Sequence, residues 1–307
     1  MTVPNSLRPA RTGERSSRWS LVIASLLGFA GFAWPLVTSA VPQDAQAAVP
    51  VLALSLVPAV VVAIALSLDR QMHSATTVAL LGVLTAVGAA IRIAGTGVGG
   101  IEAVFVVLIL AGRAYGARFG FLLGMLTIAL SSILWGGVGP WTPFQVFACG
   151  WVAAGAGLLP RLKLGSARAT STVEILMLAA YGIVASYAFG LLMNFWFWPF
   201  AVGVGTGISY VPAAPLAENL GSFGLYSLVT STLTWDTVRA ITTTVGILVL
   251  GPAALAALRR AKVGRSRGRT IRPRSTGPQD DGTRRHRSTA RGVAEAPPTA
   301  RHPSAQA

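Results

Sequence analysis

Few residues in this chain could do chemistry, and their types are narrow. Toward the same ends of successive apolar runs stand four ionisable groups, Arg92, Glu102, Asp236 and Arg239. With them come two amides, Gln145 and Asn194, and four indoles, Trp141, Trp196, Trp198 and Trp235. Two arginines can pair with a carboxylate or a phosphate through charge-assisted hydrogen bonds. Indole faces can stack on a conjugated ring, and aromatic walls with a few placed polar groups describe a small-ligand site. Catalysis is a poorer fit, because acid–base or metal-assisted chemistry wants clustered carboxylates or histidines. The acidic candidates in or beside apolar runs are Glu102, Glu174, Glu218 and Asp236, and Glu174 is expected at the opposite end from the others. Of three histidines, His286 and His302 lie in a polar tail and His73 at a helix end. The single cysteine, Cys149, leaves no internal disulfide and no Cys-rich metal site. The expectation is a binding protein with no catalytic residue, metal or cofactor.

The elements that must position these groups are long apolar runs. The chain of 307 residues is 53% hydrophobic and 11% charged, whereas a soluble protein carries about a quarter charged residues. Apolar runs fall at about 19–37, 49–68, 76–95, 101–112, 118–135, 144–160, 173–198 and 228–251. Runs of such length predict an all-α polytopic membrane protein with about eight transmembrane helices. The first run follows four arginines and also fits a secretory signal, but Trp34-Pro35 sits where a cleavage region would be small, so an uncleaved helix is expected. A polar, Gly/Pro-rich loop is expected at 199–224, and a disordered basic tail at 259–307. That tail holds 13 Lys/Arg against 3 Asp/Glu and so carries most of the net charge of +15. A basic juxtamembrane tail faces the cytoplasm and anionic lipid rather than nucleic acid.

With both termini cytoplasmic, the inner segments hold 23 of the 25 Lys/Arg, and the two left over are Arg92 and Arg239. Arg92 then lies about 24 Å above the inner end of its helix, near the outer face. Glu102, Trp141, Gln145, Asn194, Trp196, Trp198, Trp235, Asp236 and Arg239 share that level. A one-ended cluster suits a pocket open to the outside better than a continuous ion path. Each member also has a plainer reading. The tryptophans could form an interfacial belt, Asp236 and Arg239 could neutralise each other on one helix face, Arg92 could snorkel to headgroups, and Gln145 and Asn194 could bond neighbouring helices. Two small-residue stripes repeat at a spacing of four: Gly82, Ala86 and Ala90, then Gly112, Gly116, Gly120 and Gly124. Either could admit a partner helix or serve packing within the chain.

Three features together resemble the substrate-binding S component of energy-coupling factor transporters, the vitamin importers. They are the Gly82/Ala86/Ala90 stripe, the segment A-G-R-A-Y-G-A-R-F-G-F-L-L-G, and the loop G-G-V-G-P-W-T-P-F-Q with the G-W-V-A-A-G-A-G-L-L-P that follows. F-W-F-W-P-F and W-D-T-V-R are similar to actinobacterial members. The resemblance covers about 74–258. It implies a six-helix core at 73–258, preceded by an N-terminal segment with two extra helices at 1–72. It implies a vitamin-like substrate (cobalamin-, thiamine-precursor- or riboflavin-like) held near the outer side, and contact of Gly82, Ala86 and Ala90 with a membrane coupling protein. Two cytoplasmic ATPase subunits would drive transport, since this chain has no phosphate-binding G-x-x-x-x-G-K-[ST] loop. The plasma membrane is the implied location. A self-sufficient secondary transporter and a membrane scaffold or sensor without transport activity remain the alternatives.

Overall fold

The computed structural model describes residues 22–23, 25–38, 51–52, 55, 75–95, 101–162, 166–203, 205–212 and 214–268. The chain divides into two units, Met1–Gly268 and Arg269–Ala307, and the second lies outside the described residues, as does most of the expected run at 49–68. All regular structure among the described residues is helical. Residues 25–32 are helical and α1 (Trp34–Thr38) continues them after a turn at Ala33. Then come α2 (Ala75–Gly95), α3 (Val104–Tyr115), α4 (Ala117–Trp135), α5 (Thr142–Leu158), α6 (Ala167–Ala201) and α7 (Leu216–Ser227). A π-helix (Leu228–Asp236) joins α7 to α8 (Thr237–Gly268). Among the described residues four stretches are long and apolar enough to cross a membrane: Ala75–Gly95, Ala117–Trp135, Ser171–Ala201 and Leu216–Ala261.

The bundle is built around α3. Its 12 residues rise only about 18 Å, too short to cross a bilayer core of about 30 Å. Yet ten of them are buried, because α2, α4, α5, α6 and α8 all pack on it. The expected fourth run is thus a central post rather than a full span. Gly116 makes the connection from α3 to α4 a single residue. Its φ of 98° would strain a side chain, and its N–H donates to Gly112 O at 2.8 Å. The connection between these two helices is therefore a tight corner. Arg113 is not an exposed turn residue but lies inside α3, 6% exposed.

The two small-residue stripes have opposite fates. A Cβ on Gly112 would run into the Ala153 carbonyl, and one on Gly124 into the Cys149 carbonyl. A Cβ on Gly120 would lie 2.6 Å from Ala153 O and 3.0 Å from Gly112 Cα. These glycines form a seam in which the α3, α4 and α5 backbones meet, so the second stripe serves internal packing. Gly82, Ala86 and Ala90 face away from the bundle, and among the described residues nothing lies within 4 Å of a Cβ built on Gly82. The buried face of α2 is instead Leu81, Thr85, Gly88 and Ala89.

Two further expectations are corrected. The loop placed at 199–224 is helical at both ends: α6 runs on to Ala201, and α7 begins at Leu216. Residues 259–268 do not begin a disordered tail but continue α8, and Arg259 pairs with Glu174 at 2.6 Å. The N-terminal helix covers the core, since Phe32 packs edge-on against Phe144 with centroids 5.0 Å apart.

Substituting the seam separates the stripes. Gly112→Ala forces the α3 and α5 backbones apart and is expected to cost about 1–3 kcal/mol. Gly82→Ala meets open space and should be neutral or stabilise by up to about 1 kcal/mol. Thermal unfolding of the detergent-solubilised protein checks both.

Candidate functional site

The corner between α3 and α4 marks one end of the bundle, and the loop between α4 and α5 marks the other. Most of the expected site residues gather at the loop end. Arg92, in the last turn of α2, donates to Ser131 Oγ on α4 at 2.9 Å and to Gln145 Oε1 on α5 at 3.1 Å. Gln145 can reach it because Pro143 opens α5 in the first turn, where a missing N–H costs nothing. Glu102 stands just before α3 and accepts from Arg239 Nε at 2.5 Å. Arg239 Nη1 donates to Asp236 Oδ1 at 2.6 Å and to the Ser186 carbonyl at 3.3 Å. The intrahelical Asp236–Arg239 pair therefore exists, but it is half of a larger arrangement. Its guanidinium lies 4.8 Å from the Phe189 ring centroid and 5.7 Å from that of Phe105, a cation–π setting.

The π-helix explains how the network extends. Thr237 Oγ1 donates to Thr232 O, five residues back, at 2.7 Å. Residues five apart on an α-helix point about 140° apart. The wider pitch brings Ser231 beside Asp236, and Ser231 Oγ donates to Asp236 Oδ2 at 2.7 Å. Asn194 Nδ2 donates in turn to Ser231 Oγ at 3.0 Å and to Ser227 Oγ at 2.9 Å. A chain of hydrogen bonds thus runs Asn194–Ser231–Asp236–Arg239–Glu102. Gly190 is its silent member, since a Cβ there would collide with the Asp236 carboxylate.

The tryptophans separate into three kinds. Trp196 is 3% exposed and stacks on Phe144 with centroids 4.3 Å apart and planes 3° off parallel. Its Nε1 is buried and has no hydrogen-bond partner among the described residues. Trp198 is fully buried and donates to Ile208 O at 2.7 Å, which pins the loop that follows α6. Trp141 precedes α5 and Trp235 lies in the last turn of the π-helix, 43% and 52% exposed, and neither joins the charged network. A cavity of about 1070 Å³ elsewhere in the structure is lined by none of the expected site residues.

The opposite end holds a second buried network that the one-ended expectation missed. Arg113 Nε donates to Glu174 Oε1 at 2.6 Å, and its two Nη atoms donate to Leu159 O at 2.7 Å and Pro160 O at 3.1 Å. Arg259 reaches the same Glu174 oxygen, so α3, α5, α6 and α8 are tied together. Sequence reasoning also missed Ser131, Ser186, Ser231, Phe105, Phe189 and Gly190. Of these only the Ser231–Asp236 spacing carried a signal, and reading it required a π pitch. No group of three or more potential metal ligands occurs among the described residues.

Comparison with known proteins gives no match: no protein-family model, no curated protein and no solved structure is similar to the chain.

Removing one partner of a buried ion pair leaves an uncompensated charge, at a cost of about 3–5 kcal/mol. Asp236→Ala should approach that cost. Glu102→Ala should cost far less, since its side chain is 37% exposed and water can replace part of it. Unfolding midpoints for the two variants in one detergent test the order.

Proposed function

We propose that this chain is the substrate-capturing membrane subunit of an energy-coupling-factor-type importer. In this reading the eight apolar runs, with the short buried α3 carrying the chain between the two ends of the bundle, place both termini in the cytoplasm, and a vitamin-sized ligand is taken at the outer face of the plasma membrane. The observation that carries the reading is the gathering of Arg92, Glu102, Asp236 and Arg239 at one end of an apolar bundle. Ionisable groups in such a setting are costly and tend to be functional. The Trp196 N–H adds to it, because a buried donor with no partner costs about 1–3 kcal/mol. A ligand acceptor would satisfy that donor while the Phe144–Trp196 stack offers an aromatic edge. Glu102 is the partly exposed member of the Arg239 pairings, so a ligand carboxylate or phosphate would compete with it for the guanidinium. Gly82, Ala86 and Ala90 present a small-residue face that suits close approach of a coupling protein, with two ATPase subunits on the cytoplasmic side.

One observation favours a second reading. Arg239 is already satisfied by Glu102, Asp236 and Ser186 O, as it would be in a ligand-free membrane scaffold. Mass spectrometry of small molecules released from the natively purified protein separates the two, with a stoichiometric vitamin-like compound expected for the importer. Trp196→Phe keeps the stack and removes the N–H. In the importer it should weaken ligand binding about five- to tenfold, the worth of one hydrogen bond. In the scaffold it should only raise the unfolding midpoint, by removing an unmet donor. Arg239→Ala should weaken binding while membrane insertion persists. Gly82→Leu with Ala86→Leu should abolish co-purification with a coupling protein and leave ligand affinity intact.

A further inference from the structure

Between the N-terminal helix and the bundle runs a groove of about 1070 Å³, slightly larger than the range of about 300–1,000 Å³ usual for small-ligand pockets. Val22, Leu26, Phe29, Phe121, Trp151 and Leu158 supply much of its wall. The polar groups along it are few and largely committed. Trp151 Nε1 donates to Ser25 Oγ at 3.0 Å, and Tyr115 OH donates to Leu258 O at 2.7 Å. The charged side chain in the lining is Arg118, in the first turn of α4 at the corner end. That end is strongly basic: Arg113, Arg118, Arg161, Arg259 and Arg260 stand there against Glu174.

We propose that the groove binds one anionic phospholipid, with acyl chains along Phe29, Phe121 and Trp151 and its phosphate at Arg118. The groove opens beside Ala117–Trp135, a helix long and apolar enough to cross a membrane, so its natural solvent is hydrocarbon. The excess of arginine puts the corner end at the cytoplasmic leaflet, where anionic headgroups concentrate and basic pockets between helices select them. The lipid also has a structural task. Ser25, Gly28 and Phe32 meet Trp151, Phe147 and Phe144 of the bundle, while Val22, Leu26 and Phe29 line the groove, and acyl chains there complete the packing. The proposal does not rest on the importer reading and holds equally for a scaffold.

The test is native mass spectrometry of the delipidated full chain, titrated with phosphatidylglycerol or phosphatidylcholine. The wild type is expected to retain one phosphatidylglycerol with about a fivefold preference over phosphatidylcholine, the effect of one basic residue near a membrane surface. Arg118→Gln should abolish the preference, Arg118→Lys should keep it, and Ala154→Phe, which fills the groove, should lose both lipids. Equal retention of the two lipids by the wild type, or a preference that survives Arg118→Gln, overturns the proposal. So does a wild type that retains no lipid, the result expected if the apolar run at 49–68 occupies the groove.

Discussion

A guanidinium inside an apolar bundle must be compensated on every side, and Arg239 shows how much structure that requires. Its charge is met by Glu102 and Asp236, a backbone carbonyl takes a further N–H, and two phenyl faces cover it. Each partner comes from a different part of the fold. Glu102 arrives from the residues that lead into α3. Asp236 fits because Gly190 has no side chain. Ser231 joins because the helix there has a π pitch. A defect in any of these would leave a charge or a donor unmet, at a cost comparable to a large share of the stability of an ordinary domain.

The same constraint operates at the other end, where Glu174 accepts from two arginines and Arg113 spends its remaining donors on the carbonyls that end α5. The Leu159 carbonyl caps α5 without a partner in that helix, so Arg113 satisfies a helix end and an ion pair together. The two networks clamp the bundle at top and bottom. Between them the packing is apolar, with α3 as the post and the glycine seam setting how closely α4 and α5 approach it. The ends differ in one respect that bears on function. At the corner end Arg113, Glu174 and Arg259 serve cohesion, whereas the loop end also keeps a buried indole N–H with no partner among the described residues and a carboxylate partly open to water.

Small residues at one spacing serve two purposes here. On the α3–α4–α5 seam they are consumed by the protein itself. On α2 they are presented outward, and among the described residues no neighbour surrounds Gly82, which leaves that face available to another helix. The N-terminal helix adds a third surface, since it closes over the Phe144 side of the core yet leaves a groove toward the corner end.

The apolar runs alone determined that the protein is helical, roughly where most of its helices lie, and that Arg92, Glu102, Gln145, Asp236 and Arg239 belong to one end. Those follow from helical rise and from the cost of placing charge in hydrocarbon, both of which are local or one-dimensional quantities. Tertiary structure alone decided the pairings. Glu102 and Arg239 are 137 positions apart, and Arg113 reads as a turn residue until α6 and α8 bring it Glu174. Spacing could not tell which glycine stripe faces inward, because both have the same period and the answer depends on whether another backbone arrives. The α-helical period also hid Ser231 from Asp236, since a π pitch is imposed by packing and capping rather than written in hydrophobic pattern.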